Sequence, residues 1–329
     1  EPVVEDQTLV VCSDEALEYT LLGDVDTPVV ATYNLTSIVV SDGLVGALGN
    51  QAVADGLSSE ALVDDVWTNE TSLALDVVYT LVPLDNNSCQ GDSFTLTVTV
   101  NPEPVVEDQT LVVCSDEALD ITFGSSSSVA ATSYEIIGLT LNELTVSAGG
   151  AVVSTTLLSA SDLSDDSFTN ETSLPVNVVY TVVPSTPEGC QGNSFTVTVT
   201  VNPEPVVEDQ TLVVCSDEAL EYTLLGDVDT PVVATYNLTS IVVSDGLVGA
   251  LGNQAVADGL SSEALVDDVW TNETSLALDV VYTLVPLDNN SCQGDSFTLT
   301  VTVNPEPVVE DQTLVVCSDE ALEYTLLGD

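Results

Sequence analysis

The chain has 329 residues, 54 of them Asp or Glu, and no Lys, Arg, His or Met. A formal charge of −54 with no counter-charge on any side chain excludes side-chain salt bridges and opposes binding to nucleic acid or anionic membranes. Yet 44% of the residues are apolar, too many for a disordered acidic tail, and no apolar run approaches the roughly 18 residues of a membrane span.

Read in chain order, the signals are all β, with Val and Thr dominating. "PVVEDQTLVV" (2–11) reads as an opening strand with a possible break at Glu5-Asp6. "ALEYTLL" (16–22) follows a Ser-Asp-Glu turn, and "VVATYNLTSIVV" (29–40) is a long strand ending at the turn "SDG". A Gly/Ala-rich stretch, 43–62, carries a weak signal. "LALDVVYTLVPL" (73–84) and "SFTLTVTV" (93–100) are the clearest strands, the last with strict period two. "NPEP" follows; its prolines lack an N–H donor, stiffen the linker and end the ladder. No amphipathic helix is evident.

This pattern then recurs. "EPVVEDQTLVVCSDEAL" begins at Glu1, Glu103, Glu204 and Glu306. Residues 1–102 and 204–305 are identical, 103–203 is a diverged copy, and 306–329 repeats 1–24. A unit of about 100 residues can bury its own core, so the expected domains are 1–102, 103–203 and 204–305, with 306–329 the start of a further repeat. Short strands with turns every 8–12 residues predict an all-β tandem array of immunoglobulin-like sandwiches. At about 3.3 Å per strand residue, three in line would span on the order of 100–120 Å. Position 1 already lies inside a repeat, which reads as a window on a longer chain.

"VVYTVVPSTPEGCQGNSFTVTVTVNPEP" (178–205), with "DQTLVVC" after it, resembles the PKD-like and Ig-like repeats of giant surface proteins of Bacteroidetes. The resemblance extends over all three full repeats. It implies PKD-like β-sandwiches on an extracellular, cell-surface protein of the adhesin type, exported by the type IX pathway. The partners it implies are neighbouring repeats of the same chain, and surface glycans or substrata. The complete lack of Lys, Arg and His departs from the family pattern.

The residue types of catalysis are missing. There is no His for general-base work and no Lys or Arg to hold an oxyanion or phosphate, so an enzyme is not expected. Calcium is the one candidate cofactor, because hard cations take clustered oxygen ligands. Two loops that share one pole of an immunoglobulin topology carry Asp24, Asp26, Asp85, Asn86 and Asp92; the third repeat has Asp227, Asp229, Asp288, Asn289 and Asp295. The middle repeat has "GSSSSV" (124–129) in place of the first pair, with Glu188 and Asn193 nearby. The competing reading is solvated turns, where Asp serves backbone geometry. Sequons occur at Asn34, Asn69, Asn170, Asn237 and Asn272, with chance as the default reading. Trp67 and Tyr79 read as core, the Tyr79 hydroxyl bracing a corner. The charge reads as a spacing device between like-charged repeats or as adaptation to a salty habitat. Either way, trypsin-like proteases have no site to cut.

Seven cysteines at regular positions imply disulfides and an oxidising compartment. Cys12 follows the opening strand and should lie at the trailing end of its repeat. Cys89 precedes the closing strand and should lie at the leading end, about one strand length away, too far for a disulfide that needs Cα atoms within about 7 Å. The trailing end of one repeat abuts the leading end of the next. The favoured pairs are therefore Cys12–Cys190 and Cys114–Cys292, across the hinges. They leave Cys89, Cys215 and Cys317 to partners in further repeats. Such staples would stop the hinges bending and carry load. The alternative is pairing within repeats (Cys12–Cys89, Cys114–Cys190, Cys215–Cys292), which follows if the chain reverses at Glu5-Asp6. The functional expectation is a stalk segment of a repetitive cell-surface fibre or adhesin. The alternative is a calcium- or glycan-binding module acting through its inter-strand loops.

Overall fold

A computed structural model describes residues 1–23, 28–124, 128–149, 154–226, 231–307, 309, 311, 313–319 and 321–325. The described residues form strands, turns and irregular segments, with no helix among them. By internal contacts the chain divides into two compact units. One comprises Glu1–Val113, Ala118–Phe168 and Asn177–Thr200; the other comprises Cys114–Glu117, Thr169–Val176 and Val201–Asp329.

The first repeat is built from β1 (Gln7–Cys12), β2 (Val30–Val40), β3 (Leu44–Gly46), β4 (Ala54–Leu57), β5 (Trp67–Asn69), β6 (Leu75–Asp85) and β7 (Phe94–Asn101). Five strands form one sheet in the order β1-β7-β6-β2-β4, and β3 pairs with β5 in a second. Alternation explains the packing. In "FTLTVTVN" every second side chain, Phe94, Leu96, Val98 and Val100, is buried, while the threonines between them face outward. Val77, Tyr79 and Leu81 of β6 do the same. From the other layer Leu17, Leu21, Leu44, Leu62 and Trp67 close the same core. Each fully buried Val or Leu contributes about 1.5–3 kcal/mol. The result is a β-sandwich.

The opening strand departs from expectation at its start and holds to it at its end. Residues 1–6 are not strand, but the chain does not reverse at Glu5-Asp6. The Asp6 carboxylate accepts the Thr95 N–H at 2.7 Å, which fixes the start of β1 beside the start of β7. From there β1 runs parallel to β7, Gln7 opposite Leu96 and Cys12 opposite Asn101. "ALEYTLL" is not a strand. Ala16 makes one isolated bridge to Val66, Glu18 takes a positive φ of 45°, and Leu17, Glu18 and Leu21 donate to the carbonyls of Asp65, Val63 and Ser59. The weak stretch 43–62 contains the short strands β3 and β4.

The middle repeat holds β8 (Gln109–Cys114), β9 (Ser133–Thr140), β10 (Thr145–Ala148), β11 (Ser154–Leu158), β12 (Ser167–Thr169), β13 (Val176–Ser185) and β14 (Phe195–Asn202). Their sheets are β8-β14-β13-β9-β11 and β10-β12. The third repeat, β15 (Gln210–Cys215), β16 (Thr235–Val243), β17 (Leu247–Gly249), β18 (Ala257–Leu260), β19 (Trp270–Asn272), β20 (Leu278–Leu287) and β21 (Phe297–Asn304), repeats the first, with the parallel pairing Cys215 opposite Asn304.

Candidate functional site: the stapled junctions

Parallel pairing of β1 with β7 decides where the cysteines lie. Cys12 is level with Asn101, the last residue of β7, whereas Cys89 precedes its first residue, Phe94. The eight residues of β7 alone separate the two levels by about 23 Å. Cys12 is joined instead to Cys190 and Cys114 to Cys292, each with Cα atoms 5.4 Å apart. The within-repeat pairs are not formed, for this reason of strand direction. Cys89, Cys215 and Cys317 are free and exposed.

Burial separates paired cysteines from their sequence-identical counterparts. Cys190 and Cys292 are 0% exposed, while Cys89, in the same local sequence as Cys292, is exposed. Cys12 is half-buried and its exact copy Cys215 is exposed.

Hydrogen bonds hold each side of the junction. Ser13 N–H donates to the Asn101 carbonyl at 2.8 Å, and its buried hydroxyl accepts the Asn69 N–H at 2.9 Å. Asp14, in the left-handed region at φ 61°, accepts the Thr68 hydroxyl. Asn69 donates to the carbonyls of Val100 and Leu73, both at 2.8 Å, and accepts the Thr71 N–H and hydroxyl. Asn170 and Asn272 repeat this clamp. The three "NET" sequons are thus structural: the amide is buried and both its hydrogens are used.

Opposite Cys12, Cys190 donates its N–H to the Thr186 hydroxyl and accepts the Thr186 N–H on its carbonyl. Gly192, two residues on, donates to the Pro184 carbonyl at 2.9 Å. A Cβ there would sit 1.9 Å from the carbonyl oxygen of Pro104. The same clash awaits at Gly91 against Pro2 and at Gly294 against Pro205. Cys-Gln-Gly therefore needs glycine for steric room: the proline linker lies directly on it.

Between Pro102 and Pro104, both buried, Glu103 is half-buried. Burial, with the Asp14 and Glu15 carboxylates adding repulsion, pushes its pKa up to about 7. Glu204 is likewise pushed up to about 7 by burial, then by Asp116, Asp295 and Glu117.

The other candidate residues have different duties. Asp85 Oδ1 accepts the N–H groups of Asn87 and Cys89, and these bonds hold its carboxyl below the usual range despite some desolvation. Asp288 caps the matching loop through Asn290 and Cys292. Asp92 and Asp295 are exposed, and Asp24, Asp26, Asp227 and Asp229 lie outside the described residues. Among the described residues no three acidic or cysteine side chains gather as a metal-holding group. Trp67 and Tyr79 are core. The indole N–H donates to the Tyr79 hydroxyl, which donates to buried Asp65, both at 2.8 Å. Burial raises the Asp65 pKa against the pull of Gln51 N–H and Tyr79. The sequence reading missed Asp65 and Ser13 and took Asn69 only as a sequon; the repetition of "DDVWTNET" was the available signal, but nothing local marks those side chains as buried.

The PKD-like domain family signature matches residues 9–104, 111–205 and 212–307. No curated protein sequence matches the chain. Solved structures similar to it include Drosophila N-cadherin EC1-3, at 9% identity, covering 92% of this chain and 99% of that one, TM-score 0.23. Chicken CNTN1 FN1-FN3 domains match at 9% identity over 89% of this chain and 98% of that one, TM-score 0.26. Bacteroides ovatus SGBP-B of the mixed-linkage glucan utilization locus, in complex with mixed-linkage heptasaccharide, matches at 13% identity over 97% and 72%, TM-score 0.17. Disulfides and repeats of this type indicate an extracellular protein of structural or adhesion type. The chain belongs to the PKD-like domain family, as three tandem repeats of it.

Proposed function

We propose that the chain is a stalk segment of a secreted, repetitive cell-surface fibre or adhesin, reaching the surface by type IX export and giving reach and tensile strength. The observation that supports this reading is the pair of disulfides, each joining the cysteine after one repeat's opening strand to the cysteine before the next repeat's closing strand. A recognition module needs its loops free; this chain instead commits the ends of its repeats to one another. Solution scattering of the oxidised chain tests the reading. A stalk segment gives a radius of gyration well above the roughly 20 Å of one compact domain of this length, and a value near 20 Å overturns it.

A further inference from the structure

The two disulfides have a consequence that follows from covalent connectivity alone. Starting at free Cys89, the chain passes through β7, the Pro102–Pro104 linker and β8 to Cys114. There it crosses to Cys292 and continues through β21 and the next linker to free Cys317. A second route starts at Cys12, crosses to Cys190 and continues through β14, the Pro203–Pro205 linker and β15 to Cys215. Each route contains only closing strand, proline linker and opening strand. Each disulfide, with a sequence separation of 178, closes a loop: the one closed by Cys114–Cys292 hangs beside the first route, the one closed by Cys12–Cys190 beside the second, and each loop contains one arm of the other route.

We propose that tension applied between Cys89 and Cys317, or between Cys12 and Cys215, is carried by these two covalent routes and bypasses the sandwich bodies, so that the oxidised chain pulled at those points cannot be unravelled by force. The strands on each route are already extended, so pulling straightens little. Without the disulfides, tension on the two ends of the first repeat would shear β1 from β7, which are parallel neighbours loaded from opposite ends. With a cysteine anchored at the far end of β1 and another ahead of β7, each strand is pulled along its own backbone. Hydrogen bonds then need not resist the load. Reduction removes the bypass and makes each repeat extensible. This inference rests on the stalk reading for its use in the cell; the bypass itself stands or falls separately.

The test uses the full chain with Cys215→Ser, leaving Cys89 and Cys317 as thiol attachment points for an optical trap. At no more than about 3.6 Å per residue, the route through Cys114–Cys292 limits the extension between the handles to roughly 190 Å, against roughly 820 Å along the whole intervening chain. The oxidised molecule should stop near the shorter limit. Adding reductant to the same tethered molecule should release steps toward the longer one. Oxidised molecules that lengthen by hundreds of Å before reductant overturn the proposal. The variant that also carries Cys114→Ser and Cys292→Ser should extend several-fold further without reductant; if it too stops near the shorter limit, the disulfide is not the cause and the proposal fails. A compact scattering radius combined with the short trap limit would remove the stalk and keep the bypass.

Discussion

Gly189 and Gly192 lie in one turn around Cys190 and give a matched pair of perturbations. A Cβ at Gly192 would meet the Pro104 carbonyl oxygen at 1.9 Å and its carbon at 3.0 Å, where ordinary contact begins at 3.4 Å. The obstacle is backbone, held in a linker whose two prolines are buried, so it cannot swing aside as a side chain would. Overpacking costs 1–3 kcal/mol in general, and a backbone obstacle belongs at the upper end, so Gly192→Ala should cost about 3 kcal/mol. Gly189 is the opposite case: nothing lies within 4 Å of its Cβ, and the only objection to a side chain is its φ of +91°. The first and third repeats place Ser88 at φ 62° and Ser291 at φ 67° in that position. Gly189→Ser should therefore cost under about 1 kcal/mol. Hydrogen exchange in urea, read on amides of β8 and β14, reports the middle repeat alone. With a slope of about 1–3 kcal/mol per molar, Gly192→Ala should lower the midpoint by roughly 1–3 M and Gly189→Ser by much less. Equal, mild effects of the two would refute the claim that the linker is seated on Cys-Gln-Gly.

Tyr79→Phe removes the acceptor of the Trp67 indole and the donor to buried Asp65, and should cost about 2–4 kcal/mol by urea unfolding. Tyr180→Phe should cost about half as much, because Phe168 stands where the other repeats have the indole. Asn69→Asp keeps the size but cannot donate to the Val100 and Leu73 carbonyls; a loss of about 2 kcal/mol should lower the melting temperature of its repeat by roughly 8–16 °C. Glu103 and Glu204 set a pH dependence. Their folded pKa of about 7 exceeds the ordinary 4.5, so the folded state holds the extra protons. Stability is therefore highest below about pH 4.5 as far as these groups decide it, and is lost as pH rises to about 7, by on the order of 1 kcal/mol per junction after solvent screening. The melting temperature should be higher at pH 5 than at pH 7.5, and the difference should shrink in Glu103→Gln/Glu204→Gln; a rise toward neutral pH would contradict the assignment.

The β character, the repeat period and the approximate ends of the clearest strands were legible because "SFTLTVTV" alternates strictly, because "LDVVYTLV" is a β-branched and aromatic run, and because identical copies mark the period. The position of Cys12 was legible only conditionally. It depended on the chain not turning at Glu5-Asp6, and what prevents the turn is a bond from Asp6 to Thr95, 89 residues away. "ALEYTLL" misled because Leu17 and Leu21 do face the core, but the segment is held by bonds to the carbonyls of Ser59, Val63 and Asp65 and not by a ladder. The loop aspartates admit two readings in the sequence because Asp is both a hard-cation ligand and a turn cap; the structure shows the capping role at Asp85 and Asp288, each with an oxygen on backbone N–H groups, while Asp24, Asp26, Asp227 and Asp229 lie outside the described residues. Likewise, "NET" is a sequon by pattern and a buried clamp by tertiary contact.

The acid-only composition and the disulfides belong to one argument. Each junction brings a half-buried glutamate against two or three further carboxylates. The chain has no Lys, Arg or His to neutralise them. Ordinarily two protein surfaces can be matched by opposite charge, but here every added acidic residue opposes the contact. Salt screens exposed charges beyond roughly 8 Å at physiological strength, and it screens buried ones much less, so the repulsion at Glu103 persists. The buried prolines on glycine act inside each repeat, Pro104 on Gly192 and Pro205 on Gly294, so what joins one repeat to the next is the covalent bond. The disulfide is indifferent to charge and to salt, and it lies beside the repulsive cluster, Cys12 being two residues from Asp14 and three from Glu15. A chain with no basic side chain to match its acidic ones can therefore still join one repeat to the next covalently.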